Sequence, residues 1–285
     1  MSMTLLMGAV AYDPKVVTIW DGFQKWFAQH DLEFDYMLYS NYERQVAGHF
    51  AGHFHVAWNS PLAWLQAERI AARTGRKIGA IAMRDADCDL TSVIVVRNDS
   101  PIRSIQDLRG KTVGVGASDS PQATLIPLLH LAEAGLDPEK DFTVRAFDVL
   151  VGKHGDHIGG ERHAAKALID GTVDAACMID GNHLLFSREG TFPSNSTRIL
   201  AQTAEYDHCN FTVLEGGVPA ETIVRFRKLL LSMSYDDPQV RPLLDLEGLK
   251  QWKPGRTEKY ALLDRAVERF KTIDAFVDSI SKSYP

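Results

Sequence analysis

The sequence predicts an α/β protein of two lobes joined by a hinge, with a helical C-terminal tail. Three observations predict it. Residues 4–97 alternate short apolar runs with amphipathic stretches at helical spacing, the grammar of a parallel sheet with helices on both faces. A second set of the same kind follows the turn-rich breaker Asn98-Asp99-Ser100-Pro101. A length of 285 residues, finally, fits two cores of ordinary size better than one. The chain is expected to cross twice, so that 1–94 with 203–285 form one lobe and 95–202 the other.

In the first lobe the apolar runs place strands at 5–11, 34–39, 54–58, 78–83 and 92–97, with helices near 14–29, 42–51 and 61–74. In the second, strands are expected at 112–116, 142–147 and 173–179 and helices near 121–135, 160–170 and 182–188. The stretch 189–196 is another breaker, and 198–202 with 210–214 read as strands leading back. Residues 219–283 read as almost wholly helical, with stripes through Ile223, Phe226, Leu229 and Leu230 and through Tyr260, Leu263, Val267 and Phe270. That tail must pack on one of the lobes. Ligands of open parallel sheets sit beyond the carboxyl ends of the strands, so the strand-to-helix loops of both lobes are the expected lining of a cleft.

Composition narrows the function. Hydrophobic residues at 45% and charged ones at 24% are those of an ordinary globular chain. The net charge of −6, spread without any basic block, argues against nucleic acid as a partner. No apolar run approaches the roughly 20 residues that span a bilayer, so any membrane association is peripheral. Residues 1–11 contain no Lys or Arg, and their apolar stretch is better read as the first strand than as a leader. The chain as written is therefore expected in the cytoplasm, and in the periplasm or another extracytoplasmic space if a leader precedes it. Cys88, Cys177 and Cys209 are odd in number and scattered, which supports no disulfide framework.

The most informative stretch is Ser104 to Leu129. It prescribes a capped turn, a buried strand, then Ser118-Asp119-Ser120-Pro121 opening a helix. A helix start of this kind presents backbone N–H groups and a partial positive charge to an anion. Asn59 and Ser60 before Pro61 repeat the arrangement in the first lobe, and two such termini would clamp one anion. Tyr12, Asn41 and Tyr42 lie where strands hand over to helices; a hydroxyl and ring at Tyr12 suit an acid, while Asn41 also reads as a plain helix cap. Asp180 and Asn182 follow the last strand of the second lobe, where a carboxylate suits an ammonium or hydroxyl group.

His154, Asp156, His157, Glu161 and His163 invite a metal reading, but the interspersed Gly155, Gly159 and Gly160 suggest a flexible loop and no zinc spacing is present. Neither a metal nor a cofactor is expected, and the loop reads as a lid with ligand-facing histidines. His208 beside Cys209 is expected to form no dyad, because neighbours on a strand face opposite ways. Cys209 then reads as a small core residue, with His208 or Asp207 turned to the hinge.

Several motifs carry a family resemblance: Asp107-Leu-Arg-Gly-Lys-Thr-Val-Gly-Val-Gly116, the capped helix that follows to Pro127, Ala167-Leu-Ile-Asp-Gly-Thr-Val-Asp-Ala175, Phe54-His-Val-Ala-Trp-Asn-Ser-Pro61, and Leu249-Lys-Gln-Trp252 with Tyr260. Over nearly its whole length the chain resembles the phosphate, phosphite and phosphonate solute-binding subunits of ABC importers, of the type II periplasmic-binding-protein fold. The resemblance implies a small anionic ligand, an ABC permease as partner, a monomer and closure about the hinge. It adds Gln122 to the candidate ligand contacts, since the positions matching the family's Ser-Thr-Ser-Gly run read Ser120-Pro-Gln-Ala123. An ungapped count from Gly171 also places Glu161 where the family carries a His, and a small shift puts His157 or His163 there instead. Pro121 deletes one backbone donor and Glu161 repels a dianion unless protonated or paired with Arg162. The departures shift the expected ligand from phosphonate towards a carboxylate, a zwitterion or a larger organic anion. A second reading is a cytoplasmic enzyme on the same fold, a decarboxylase or dehydratase working by His and Glu acid–base chemistry.

Overall fold

The computed structural model describes residues 3–155 and 159–284. Its strands are β1 (Leu5–Val10), β2 (Phe34–Tyr39), β3 (Val56–Asn59), β4 (Ile78–Arg84), β5 (Ser92–Arg97), β6 (Thr112–Val115), β7 (Thr143–Ala146), β8 (Ala175–Ile179), β9 (Thr197–Gln202), β10 (Asn210–Leu214) and β11 (Trp252–Pro254). Its α-helices are α1 (Lys15–Ala28), α2 (Tyr42–Phe50), α3 (Pro61–Arg73), α4 (Ile126–Glu133), α5 (Glu161–Ile169), α6 (Asp180–Arg188), α7 (Ala220–Ser232), α8 (Arg241–Glu247), α9 (Ala261–Phe270) and α10 (Asp274–Ser283). They form two compact units: the first comprises the residues up to Cys88, Asp207–Tyr260 and those from Ile273 onward, the second Asp89–Tyr206 and Ala261–Thr272. Leu90 and Tyr206 already pair with each other in antiparallel fashion, each N–H 2.8 Å from the other's carbonyl, and so belong to the second unit. The helical tail is divided between the units, because α9 packs on α4 while α10 packs on α3.

The first unit holds a six-stranded sheet of order β11-β4-β10-β3-β1-β2. Strands β1, β2 and β3 pair in parallel, but β10 enters antiparallel between β3 and β4, and β11 runs antiparallel to β4. The expected wholly parallel sheet is thus a mixed one. The physical reason is the return crossing: the chain re-enters beside the carboxyl ends of β3 and β4 and can only run back between them. On one face α1 buries Val16, Ile19, Trp20, Phe23 and Phe27, a stripe at helical spacing, against Trp58, Phe211, Phe226 and Trp252. Trp58 and Phe211 rings lie 4.7 Å apart and Phe211 and Trp252 rings 5.3 Å apart. All five tryptophans belong to this unit.

The second unit holds a five-stranded sheet of order β7-β6-β8-β5-β9, in which β6 pairs in parallel with β7 and β8 while β5 runs antiparallel to β8 and β9. Both faces are covered, and the two-residue period of a strand sorts the core between them. Ile94, Val96, Ala175 and Cys177 face Leu128, Leu131 and Leu136, whereas Val93, Val95, Ala176 and Met178 face Ala164, Leu168 and Phe186.

The helix expected over 121–135 opens on a wide five-residue turn, Pro121–Leu125, in which the Ile126 N–H reaches back to the Pro121 carbonyl. Pro127 explains it. Lacking an N–H, it leaves the Ala123 carbonyl without its helical donor, and the Gly116 N–H at the end of β6 takes that carbonyl at 3.1 Å. The glycines expected to loosen the following loop instead let backbone approach backbone. Gly160 has φ of +81°, and a Cβ there would lie 2.1 Å from the Phe147 carbonyl oxygen. Among the described residues no helix is long and apolar enough to cross a membrane.

Candidate functional site

In the first unit the carboxyl ends of the parallel strands lead into capped helices. Asn41 accepts the Arg44 N–H at 2.8 Å and caps α2; Ser60 accepts the Ala63 N–H at 3.2 Å and caps α3, with Pro61 as first residue. Tyr12 is half-buried just beyond β1, with the Lys15 ammonium 5.8 Å from its ring centre, and Tyr42 is buried at the start of α2. Asn59 lies inside, in a hydrogen-bond chain of one polarity. Gln45 Nε2 donates to Asn59 Oδ1 (2.8 Å), Asn59 Nδ2 to Thr212 Oγ1 (2.9 Å), Thr212 Oγ1 to Asn210 Oδ1 (2.6 Å), Asn210 Nδ2 to the Tyr260 hydroxyl (2.8 Å), and Tyr260 to the His208 carbonyl (2.6 Å). All these side chains are buried, so the chain satisfies polar groups that would otherwise cost stability.

His208 ends that chain and begins a second group. Residues 207–209 precede β10 and are not yet strand, so the alternation rule does not hold for them. The expectation that His208 and Cys209 point apart is accordingly corrected: His208 Nδ1 and Cys209 Sγ are 3.1 Å apart. Cys209 is buried as expected, but Asp207 is buried too, held through both oxygens by Arg256 at 2.6 and 2.7 Å. Arg84 grips Asp87 in the same forked way at 2.6 and 2.8 Å and reaches Glu247 Oε1 at 3.2 Å. Burial opposes ionisation of Asp87, but the Arg84 guanidinium overrides it and holds the carboxyl well below the usual range. Nothing in the local sequence announces Asp87, Arg84 and His208 as neighbours, because β4 and β10 are brought together only by the sheet.

In the second unit Ser118 is exposed, its N–H bonded to Asp148 Oδ1 at 2.8 Å. Ser120 is buried and caps the helix opening, its Oγ accepting the Ala123 N–H at 3.2 Å. Ser120→Ala is expected to cost about 1 kcal/mol, read as a lower urea midpoint for the second unit. Gln122 is buried, its amide donating to the Gly155 carbonyl at 2.8 Å, while its own carbonyl accepts the Ser92 hydroxyl. Asp180 accepts from the Thr91 hydroxyl (2.8 Å) and the Gly181 N–H (2.6 Å). His163 is exposed on the first turn of α5, and His157 lies outside the described residues.

Glu161 is the centre of this group. It is completely buried; Oε2 accepts the Ile179 N–H at 3.1 Å and Asn182 Nδ2 at 2.7 Å, while Oε1 has no hydrogen-bond partner among the described residues. Of the two alternatives, protonation or pairing with Arg162, the pairing is not made, because Arg162 turns to Glu189 and to the face of Phe186. Burial pushes the Glu161 carboxyl up to about 8, against the opposing pull of Asn182, the Ile179 N–H and the Gln122 amide. At neutral pH it is therefore mostly a neutral acid, able to donate one hydrogen bond. Glu161, Asp180 and Asn182 all stand at or beyond the carboxyl end of β8, where helices α5 and α6 begin.

Two α/β units, each with polar groups gathered at its parallel-strand ends, set the context for comparison with known proteins. The family described as "ABC transporter, phosphonate, periplasmic substrate-binding protein" matches residues 9–260. The chain belongs to this phosphonate-binding family. Membership gives it the periplasmic-binding-protein fold and the solute-binding character of that family, and implies an extracytoplasmic location for the mature protein. Among solved structures it is similar to PhnD1 from Prochlorococcus marinus in complex with methylphosphonate, with 18% identity, a TM-score of 0.70 and coverage of 95% of this chain and 99% of that one. A binding component of an ABC phosphonate transporter from Pseudomonas aeruginosa is 16% identical with a TM-score of 0.63, covering 100% of this chain and 96% of that one. One curated relative, the tetrathionate sensor histidine kinase TtrS of Salmonella typhimurium, is 36% identical over 87 residues, which is 30% of this chain and 13% of the kinase. The matched stretch thus spans only a small part of that longer protein.

Proposed function

We propose that this member of the phosphonate-binding family captures a small anionic solute, with a phosphonate, phosphate or carboxylate head, and delivers it as a monomer to an ABC permease. The observation that carries the reading is the group around Glu161 in the second unit. A neutral carboxyl, with Oε1 lacking a hydrogen-bond partner among the described residues, supplies a donor where an ionised one would repel. Ser118 is exposed in the loop after β6, and Asp180 offers a carboxylate to an ammonium group, which favours a zwitterion among the anions. Tyr12, Asn41, Ser60 and His208 are the corresponding contacts proposed from the first unit. The solute-binding reading prevails over acid–base catalysis because the family is one of binding proteins.

Thermal unfolding of the purified chain against phosphate, alkyl- and aminoalkylphosphonates, sulfonates, small carboxylates and amino acids tests this. At a hundred times its Kd the right ligand adds about 2.7 kcal/mol, a rise of roughly 5–10 °C in Tm. Silence towards every anion, with a clear response to a neutral or purely cationic compound, would overturn the proposal.

A further inference from the structure

The cluster in the first unit holds three side chains whose chemistry the solute-binding reading does not use together. Asp87, His208 and Cys209 bring one carboxylate oxygen, one imidazole nitrogen and one sulfur within 4.8 Å of one another, and all three residues are buried. We propose that Asp87, His208 and Cys209 bind a divalent transition-metal ion of the zinc class. Oxygen, nitrogen and sulfur donors in equal parts are the mixed set such a borderline cation accepts.

The spacing comes close to a metal's demand. Tetrahedral zinc with ordinary bond lengths sets its ligand atoms about 3.3–3.6 Å apart; His208 Nδ1 lies 3.5 Å from Asp87 Oδ1, inside that range, and 3.1 Å from Cys209 Sγ, so the sulfur need move out only slightly. The surroundings fit as well. Ligating carboxylates are normally held by a further hydrogen bond, and Arg84 holds both oxygens of Asp87. The main chain that carries His208 is tied at both ends: its N–H donates to the Asp87 carbonyl at 2.8 Å and its carbonyl accepts from Tyr260 at 2.6 Å. Charge closes the argument. With Cys209 as thiolate, three negative groups (Asp87, Glu247 and the sulfur) stand against the Arg84 guanidinium, and a dication brings the buried group to neutrality. Binding forms a metal–sulfur bond and releases the thiol proton to solvent. The fourth position is left to water.

The test uses the untagged full chain, stripped with a chelator and titrated with Co2+ and then Zn2+. One equivalent of cobalt should give a thiolate-to-cobalt charge-transfer band that zinc abolishes by displacement. Cys209→Ser should remove the band, His208→Gln should weaken cobalt binding at least tenfold, and Cys88→Ser should leave both unchanged. Absence of the band in the unmodified chain at one equivalent overturns the proposal whether or not the variants fold. So does a band that survives in Cys209→Ser. Solute binding is read separately, by thermal shift of the unmodified chain with chelator present, so neither result decides the other.

Discussion

Arg84→Met should lower the stability of the first unit by about 3–5 kcal/mol, because it removes the guanidinium that two buried carboxylates share. Asp87 and Glu247 are almost wholly buried, and Arg84 is a charged partner to both, its own charge kept by them despite burial. The measurement is a urea titration with chelator present, followed by tryptophan emission, which reports the first unit alone since every tryptophan lies there. Arg84→Lys should fall between, keeping the charge but not the planar fork. The pH dependence follows from the depressed Asp87 carboxyl. Its stabilisation is complete above the unfolded value of about 3.9 and is lost as the pH falls through the lower folded value, so the acid limb of the curve should flatten in the variant. A midpoint unchanged within about 0.5 kcal/mol would show that the pair is not a support of the fold.

Glu161→Gln acts with the opposite sign. The Glu161 carboxyl is raised to about 8, so between the unfolded value near 4.3 and that point the unfolded chain has released a proton that the folded chain still holds. Stability is therefore complete below the unfolded value and is lost as the pH rises through about 8, at up to about 1.4 kcal/mol per pH unit. Glutamine keeps an acceptor for Ile179 and Asn182 and carries no charge, so calorimetry from acid to mildly alkaline pH should show the slope flattened and the variant more stable than the parent at its upper end. If the carboxyl also faces the solute, anion affinity should fall through the same range in the parent and stay level in the variant. A level affinity in both, with the stability slope intact, would make Glu161 a buried structural acid and nothing more.

Much of this architecture was legible because burial writes itself into periodicity. The apolar runs of β1, β2, β5 and β10 and the stripe of α1 appear in the sequence close to their final bounds. What escaped were features decided by tertiary context. The direction of β10 depends on where the chain re-enters the sheet, and β11 is three residues ending in a proline, too short for any pattern. The wide turn at Pro121 follows from Pro127 and from Gly116, which lies five positions before the turn. For the site, capped starts at Asn41, Ser60 and Ser120 were readable from side-chain chemistry. The environment of Glu161 was not, since its protonation depends on Ile179 and Asn182 arriving from another strand and helix.

The directional relay from Gln45 to the His208 carbonyl has a further consequence. Asn210 and Thr212 share one face of β10, so sliding β10 by a single residue against β3 would turn both away and break the line between Asn59 and Tyr260. The relay thus works as a key that admits one alignment of the returning strand, and it does so at Tyr260, the last residue before the chain leaves for α9.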